Sequence, residues 1–294
     1  MEDKIVILPV SLLEQHRDLV HELRQLASSL RLEFGWHYLL DLVWIINQLE
    51  IRENMQVIDA GAGTGIIQWY LAQQGASVLS IDRMSRTYLP IRFRVRYSLT
   101  GRTEDDLSSI SRTVLHQIGD QGLFKGLTGT AREIVGGLTN RKKSGQVVIY
   151  SSDLVDLADV PNSSQDSVVA VSSLEHNSPK ILQQVVVELM RVIKPGGVLL
   201  ATLGAARDED WFHEPSKGWC YTADSLKQIF NLSSHVPDNY EQYDALFSEL
   251  RGSDELRDNL ASFYFKSGDN GMPWGNWDPQ YQPVGICKVK RVDN

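Results

Sequence analysis

The stretch "VIDAGAGTG", residues 57–65, is the part of the chain that predicts its fold most strongly. A short apolar run ends in an acid, and three glycines follow at alternate positions. Glycines let the backbone turn tightly and approach a ligand without a Cβ in the way. The helical pattern "IIQWYLAQQG" comes directly afterwards. Together these features predict a strand, a ligand-binding loop and a helix in succession.

The spacing of the glycines distinguishes two classes of ligand. Dinucleotide loops have the pattern G-x-G-x-x-G, whereas this loop has G-x-G-x-G followed by Ile66. Asp59, two residues before Gly61, would repel a pyrophosphate but attract an ammonium group. S-adenosylmethionine carries an α-amino group and no phosphate. The loop therefore favours S-adenosylmethionine, and an NAD-dependent oxidoreductase is the less favoured alternative.

Apolar runs alternate with helical patterns along the rest of the chain. Short runs predict strands at 55–60, 76–82, 146–153, 166–173 and 198–204, with a last antiparallel strand within 281–292. The helical stretch "SPKILQQVVVELMRVI" ends at "KPGG". This order predicts an α/β fold, a Rossmann-like doubly wound seven-stranded sheet that is mostly parallel.

Three regions follow from the same pattern. Residues 1–54 are expected to form an N-terminal helical cap, because helical spacing runs over 11–33 and resumes after Gly35. Residues 55–294 are expected to form the Rossmann-like domain. The gap over 83–145 is too long for an ordinary crossover, so we expect an insertion there that acts as a lid or substrate region. A capped helix is predicted within it, at 103–118.

Five segments in order resemble a known family: "VIDAGAGTG", "VLSID", "YSSDLVDL", "DSVVAVSSLEHN" and "ELMRVIKPGGVLLATL". They are similar to class I S-adenosylmethionine-dependent methyltransferases of the small-molecule, methyltransferase type 11-like branch. The resemblance covers roughly 55–82 and 146–232. It implies S-adenosyl-L-methionine as cofactor and methyl transfer to a small-molecule acceptor by in-line displacement. A non-catalytic S-adenosylmethionine-binding or scaffold protein is the alternative, because methyl transfer needs few obligatory side chains.

The resemblance also implies which residues bind the cofactor. The glycine loop would line the methionine end, Asp82 with Arg83 would hold the ribose, and Asp153 with Leu154 would hold the adenine. Serines after the fourth strand would lie beneath the sulfonium. The expected cofactor-binding residues are Asp59, Ala60, Gly61, Gly63, Gly65, Asp82, Arg83, Asp153, Leu154, Ser172 and Ser173. We expect no metal site.

Candidate catalytic residues are few. Glu175 and His176 lie just past the fourth strand, where such sheets bind ligands, and His37 lies ahead of the core. A general base helps where the acceptor is a hydroxyl. His213, after the fifth strand, is a candidate substrate contact. The turn at 172–175 lacks the Asn/Asp-Pro-Pro-aromatic sequence typical of enzymes that methylate nucleic-acid bases, so no nucleic-acid partner is expected.

The insertion is locally basic. Residues 83–145 contain 12 Lys or Arg and 5 Asp or Glu, whereas the rest of the chain has 17 and 32. The stretch "LPIRFRVRYS", residues 89–98, alternates, which predicts a strand with Arg92, Arg94 and Arg96 on one face. Arginines form charge-assisted hydrogen bonds to phosphate and carboxylate groups. Our hypothesis is that these three side chains bind an anionic acceptor.

Composition and net charge limit the class of protein and its compartment. The net charge of −8 argues against a protein that wraps nucleic acid over its whole surface. No signal peptide or membrane span is predicted. Cys220 and Cys287 are far apart, which fits a reducing compartment, and we expect a cytoplasmic location. The oligomeric state is open.

Overall fold

The computed structural model describes residues 1–121, 145–266 and 272–291. Its strands are β1 Lys4–Ile7, β2 Gln56–Ala60, β3 Ser77–Asp82, β4 Ser98–Gly101, β5 Gln146–Ser151, β6 Gln165–Val171, β7 Ile193–Ala205, β8 Trp211–His213, β9 Gly218–Tyr221 and β10 Gln282–Val289. Its α-helices are α1 Ser11–Gln15, α2 Arg17–Leu30, α3 Tyr38–Gln48, α4 Ile67–Gln73, α5 Ile91–Arg96, α6 Ile110–Gln121, α7 Pro179–Val192, α8 Ala223–Ile229, α9 Tyr243–Arg251 and α10 Asp254–Asp258.

One sheet organises the molecule, in the order β1-β10-β7-β6-β2-β3-β5-β4. The strands from β7 to β4 run parallel, and β10 pairs antiparallel with β7. The predicted Rossmann-like sheet with an antiparallel last strand is confirmed. It has ten strands where seven were expected. The sequence analysis located six of the ten, and the other four, β1, β4, β8 and β9, have only three or four residues each, too few to produce a periodic pattern.

The region expected to form an N-terminal helical cap also contains a strand. Residues of β1 pair antiparallel with β10, and the Ile5 and Ile7 side chains are fully buried. An edge strand of the sheet therefore lies within 1–54. The predicted helix over 11–33 is also interrupted, because His16 leaves the helical conformation between α1 and α2.

The parallel strands are buried on both faces of the sheet. Val57 belongs to the apolar cluster on one face, beneath α3 and α4, whereas Ile58 belongs to the cluster on the other, beneath α7. Helix α7 contributes a stripe at helical spacing to that second cluster, formed by Leu182, Val185, Val186, Leu189 and Val192. The carboxyl ends of β2, β3, β5 and β6 consequently lie side by side at one edge of the sheet.

The predicted strand at 89–98 is wrong. Residues "IRFRVR" form the helix α5, and a short strand, β4, begins only at Ser98. Phe93 and Tyr97 are four residues apart, and both rings pack on the indole of Trp69, at centroid distances of 4.5 and 4.9 Å. That contact requires helical spacing, so tertiary packing overrides the local alternation. The helix predicted at 103–118 is observed only from Ile110, as α6, and residues 122–144 lie outside the described chain.

Candidate active site

A cavity of about 560 Å³ opens at the carboxyl ends of the parallel strands. We call it the cofactor cavity. Ten of the eleven residues predicted to bind cofactor line it, namely Asp59, Gly61, Gly63, Gly65, Asp82, Arg83, Asp153, Leu154, Ser172 and Ser173. Ala60 does not line it, because its side chain is fully buried in the core. The structure therefore gathers residues from four separate segments around one space, and their individual roles stay predictions.

The glycine loop approaches the turn after β6 closely. Gly61 has φ +72°, and a Cβ at this position would lie 2.5 Å from the Cβ of Ser173. The Ser173 hydroxyl donates a hydrogen bond of 2.7 Å to the carbonyl oxygen of Ala60. Gly63 also has a positive φ, of +46°. Glycine is needed at position 61 both for its conformation and for the space beside it.

Asp59 carries an unpartnered carboxylate oxygen at the cofactor cavity. Its side chain is 1% exposed, and Oδ2 has no hydrogen-bond partner among the described residues. Burial raises the pKa of Asp59 to about 7; the nearby Arg86 acts in the opposite direction and Asp82 adds to the rise. Buried polar atoms are normally paired. A ligand ammonium group would pair this oxygen, so the residues fit the amino end of S-adenosylmethionine.

Arg86 is a site residue that the sequence analysis missed. Its guanidinium is 4% exposed and donates to the carbonyl oxygens of Gly63, Ser80 and Tyr150, at 3.2, 2.8 and 3.1 Å. Arg86 thus connects the glycine loop to β3 and β5. Burial lowers the pKa of Arg86, whereas the carboxylates of Asp82 and Asp59 oppose that shift. An arginine shortly after a strand end has no motif, so no signal in one sequence identifies it.

The side of the cofactor cavity that contains Arg83 and Asp153 is exposed to solvent. Arg83 lies 3.8 Å from the Asp153 carboxylate, and both side chains are largely exposed. Leu154 is 8% exposed and lines the same wall. A carboxylate next to an apolar side chain is the arrangement expected around a purine ring. The expected roles, Arg83 at the ribose and Asp153 with Leu154 at the adenine, stay predictions.

A second, smaller cavity of about 170 Å³ adjoins the first. Its wall contains the rings of Trp36, His37, Tyr38, Phe263, Tyr264 and Tyr281, and we call it the aromatic chamber. It shares lining residues with the cofactor cavity, namely Gly35, Tyr38, Ser172, His176 and Phe263. A ligand in the chamber would therefore face the cofactor cavity directly.

Glu175 supplies the buried carboxyl of the aromatic chamber. The Ser172 hydroxyl donates to its Oε1, but Oε2 has no partner among the described residues. The side chain is 5% exposed, and burial raises the pKa of Glu175. Ser172 has a left-handed backbone, with φ +43°, and its amide donates to the Thr202 hydroxyl at 3.1 Å. Non-glycine residues in this conformation are strained, and such strain clusters at functional sites.

His37 forms a buried pair with Asp41. The His37 Nδ1 lies 2.7 Å from Asp41 Oδ2, and its Nε2 lies 3.4 Å from the Tyr281 hydroxyl. Burial raises the pKa of Asp41, and the neighbouring His37 acts in the opposite direction. His176 is exposed at the junction of the two cavities, with its Nδ1 3.0 Å from the Lys217 carbonyl oxygen. All three catalytic candidates thus line the aromatic chamber.

The three arginines of the insertion lie elsewhere. None lines the cofactor cavity or the aromatic chamber, because α5 turns them toward neighbouring backbone. Their hydrogen-bond acceptors include the carbonyl oxygens of Leu30 for Arg92 and of Thr87, Leu89 and Ser108 for Arg94, and the Ser29 hydroxyl for Arg96. The two cavities therefore give no support to the hypothesis that these arginines bind an anionic acceptor, and it stays a hypothesis.

His213 lies one layer behind the aromatic chamber. Its ring centroid is 5.2 Å from that of Tyr281, and its Nδ1 is 2.7 Å from the Ser216 hydroxyl. The side chain is 4% exposed, and burial lowers its pKa. It supports Tyr281 and does not itself line either cavity.

The described residues contain neither a candidate membrane span nor a candidate metal site. Within residues 1–121, 145–266 and 272–291, no helix has the length and apolar character needed to cross a membrane. No group of three or more His, Cys, Asp or Glu in those ranges is placed to bind a metal ion.

Part of the chain matches a known protein family. Residues 129–201 match the family model described as a methyltransferase domain. The match includes β5, β6 and the turn that carries Ser172, Ser173 and Glu175. The sequence matches no curated protein.

Several solved structures are similar at low identity. The [4+2]-cyclase SpnF is 17% identical, with 99% of this chain and 100% of that chain covered and a TM-score of 0.49. A putative sarcosine dimethylglycine methyltransferase from Galdieria sulphuraria is 14% identical, with 85% and 84% covered and a TM-score of 0.43. The 1,6-didemethyltoxoflavin-N1-methyltransferase of Burkholderia thailandensis, solved with S-adenosylhomocysteine, is 11% identical, with 96% and 89% covered and a TM-score of 0.46.

Proposed function

We propose that this chain, part of which matches a methyltransferase domain, is a class I S-adenosylmethionine-dependent methyltransferase and methylates a small-molecule acceptor that binds in the aromatic chamber. The observation that carries the proposal is the wall shared by the two cavities, in which Tyr38, Ser172 and Phe263 face both. An acceptor in the chamber lies next to the cofactor cavity and is largely surrounded by rings. When both reactants are held next to each other, the bimolecular reaction becomes effectively unimolecular. This positioning is the main contribution that a protein makes to methyl transfer.

Each end of the cofactor has a proposed binding residue. Asp59 pairs with the ammonium group, Asp82 accepts from the ribose hydroxyls, and Asp153 with Leu154 contacts the adenine. When bound, S-adenosylmethionine supplies an electrophilic methyl group on a sulfonium, which is a good leaving group. The chain's own task is to orient the acceptor and keep water away from it.

Glu175 is the proposed proton acceptor. Its Oε2 is unpartnered, it lines the chamber, and burial raises its pKa, which makes it a stronger base than an exposed glutamate. His37 is proposed as a positioning residue, because Asp41 fixes its ring and its Nε2 is directed to Tyr281. His176 is exposed and forms the rim. These roles replace the three equal candidates of the sequence analysis.

Titration calorimetry with S-adenosylhomocysteine and NAD tests the cofactor. We expect micromolar binding of the former and none of the latter, since Asp59 disfavours a pyrophosphate. Binding of NAD alone would contradict the proposal. Methyl release is then measured with a panel of small amines, phenols and carboxylates. Cofactor binding without turnover on any of them would favour the non-catalytic alternative.

A further inference from the structure

We propose that the aromatic chamber is a subsite for a small organic ammonium group, so that the acceptor carries a positively charged nitrogen that binds against Glu175. This inference rests on the proposed function, since it assumes that the acceptor binds in the chamber. It names the chemical class of that acceptor, and it replaces the anionic acceptor that the arginine pattern had suggested.

The rings around the chamber are the first reason. Trp36 and Tyr281 are in edge contact, with centroids 5.3 Å apart, and Phe263 lies 4.3 Å from Tyr264. Tyr38 completes the wall toward the cofactor cavity. Aromatic faces carry negative potential and attract a cation within about 6 Å of the ring centre. Several rings around one small space are the arrangement that recognises alkylated ammonium groups.

The carboxyl of Glu175 is the second and independent reason. It is more than nine-tenths buried and lines the chamber, yet Oε2 has no partner among the described residues. Gly218 lies against the same side chain, since a Cβ at that glycine would be only 3.0 Å from the Glu175 Cγ. His176 and His37 oppose the rise in the pKa of Glu175 but leave Oε2 without a hydrogen bond. Burying a carboxylate is costly unless it is paired, and a ligand cation at Oε2 would reduce that cost.

The other polar groups of the chamber do not offer an anion site. Among the lining residues that the structure describes there is no lysine or arginine. The Tyr264 hydroxyl accepts from the Trp36 backbone amide at 2.9 Å, and the Tyr281 hydroxyl is directed to His37. The indole N–H of Trp36 is buried and has no hydrogen-bond partner among the described residues. Charge therefore favours a cation, and shape favours a compact one.

Three probes of similar shape test the charge preference: tetramethylammonium, tert-butanol and pivalate. Each is titrated calorimetrically into protein saturated with S-adenosylhomocysteine, whose sulfur is neutral and adds no second positive charge. We expect tetramethylammonium to bind at least ten times more tightly than tert-butanol, and pivalate not to bind. Equal or tighter binding of pivalate or tert-butanol would overturn the inference. Failure of S-adenosylhomocysteine to bind would instead contradict the proposed function.

The Glu175→Gln variant tests the assigned residue. Its amide oxygen can still accept from Ser172, but the charge is lost. We expect tetramethylammonium binding to weaken at least tenfold while the S-adenosylhomocysteine affinity changes less than twofold. Glu214→Gln, at an exposed carboxylate outside the chamber, is the matched control and should bind both ligands as the wild type does.

Unchanged tetramethylammonium binding in Glu175→Gln would refute the assignment of Glu175. If that variant does not fold, the comparison of the three probes on the wild type still decides the inference. Phe263→Leu adds a second variant, because it removes one ring and keeps the carboxylate. It should weaken tetramethylammonium binding several-fold, and unchanged binding would argue against recognition by the rings.

Discussion

The backbone amide of Gly63 donates a hydrogen bond of 2.7 Å to Oδ2 of Asp82. The other carboxylate oxygen, Oδ1, accepts from the amide of Met84 at the same distance. One side chain at the end of β3 thus fixes both the glycine loop and the chain that leaves the strand. Each carboxylate oxygen keeps a further lone pair for a ligand hydroxyl. Asp82 therefore shapes the loop as well as offering acceptors at the cofactor cavity.

Replacing this carboxylate should weaken cofactor binding. In Asp82→Ala the loop loses its hydrogen bond at Gly63 and the ligand loses two acceptors. We expect the dissociation constant for S-adenosylhomocysteine to rise roughly 10- to 100-fold, since charge-assisted hydrogen bonds contribute about 1.5–3 kcal/mol. Calorimetric titration measures it. Asp105→Ala, at an exposed carboxylate of the insertion, is the control and should leave the constant unchanged.

Cofactor binding should depend on pH through Asp59. Its pKa is about 7, and the carboxylate form is the one that attracts an ammonium group. The ionised fraction rises about tenfold between pH 6 and pH 8, so the dissociation constant for S-adenosylhomocysteine should fall by a similar factor. Asp59→Asn should bind weakly and without this dependence. An Asn variant with the same pH profile as the wild type would show that another group is responsible.

The raised pKa of Asp59 should also make the ligand-free protein less stable as the pH rises. Folded Asp59 keeps its proton up to about pH 7, whereas an unfolded aspartate loses it near 3.8. The folded state binds more protons within this window, so the free energy of unfolding falls as the pH increases. When Asp59 is fully ionised in the folded state, the free energy of unfolding is lower by roughly 4 kcal/mol. Melting temperatures of the wild type and Asp59→Asn should therefore diverge between pH 5 and pH 8, in favour of the variant at pH 8.

Much of the fold is predictable because parallel strands buried on both faces produce continuous apolar runs. Val57 and Ile58 point to opposite faces and are both apolar for that reason. Residues 91–96 are different, since their alternation is compatible with a strand. Their helix depends on the packing of Phe93 and Tyr97 against Trp69, which no local pattern contains. Tertiary contacts decide such short segments.

The two cavities also differ in how far the sequence predicts them. Residues of the cofactor cavity lie at strand ends, and a parallel sheet brings strand ends together at one edge. The aromatic chamber instead joins Trp36, Phe263 and Tyr281, which are more than 200 residues apart at the extremes. No spacing links them, so the sequence could name His37 and Glu175 but could not place them in one chamber.

Gly61 should be irreplaceable for two separable reasons. Alanine at this position would have φ +72° and a Cβ 2.5 Å from that of Ser173. Gly196 has φ +82° but no atom within 4 Å of an added Cβ, so Gly196→Ala isolates the conformational cost, about 1–2 kcal/mol. We expect Gly61→Ala to lower the free energy of unfolding further and to abolish S-adenosylhomocysteine binding. Equal destabilisation of the two variants in urea titrations would show that the loop can move away from Ser173.

Substitution of Arg86 can separate an effect on cofactor binding from an effect on stability. Its planar guanidinium reaches three carbonyl oxygens, one of them in the glycine loop, and a lysine would keep the charge but lose that fork. Arg94 also donates to three carbonyl oxygens, but away from both cavities. Both Arg86→Lys and Arg94→Lys should lower the melting temperature. Only Arg86→Lys should weaken S-adenosylhomocysteine binding, by roughly tenfold for one lost charged hydrogen bond to the loop. If both variants bind S-adenosylhomocysteine as the wild type does, Arg86 supports the sheet and leaves the conformation of the loop to Asp82.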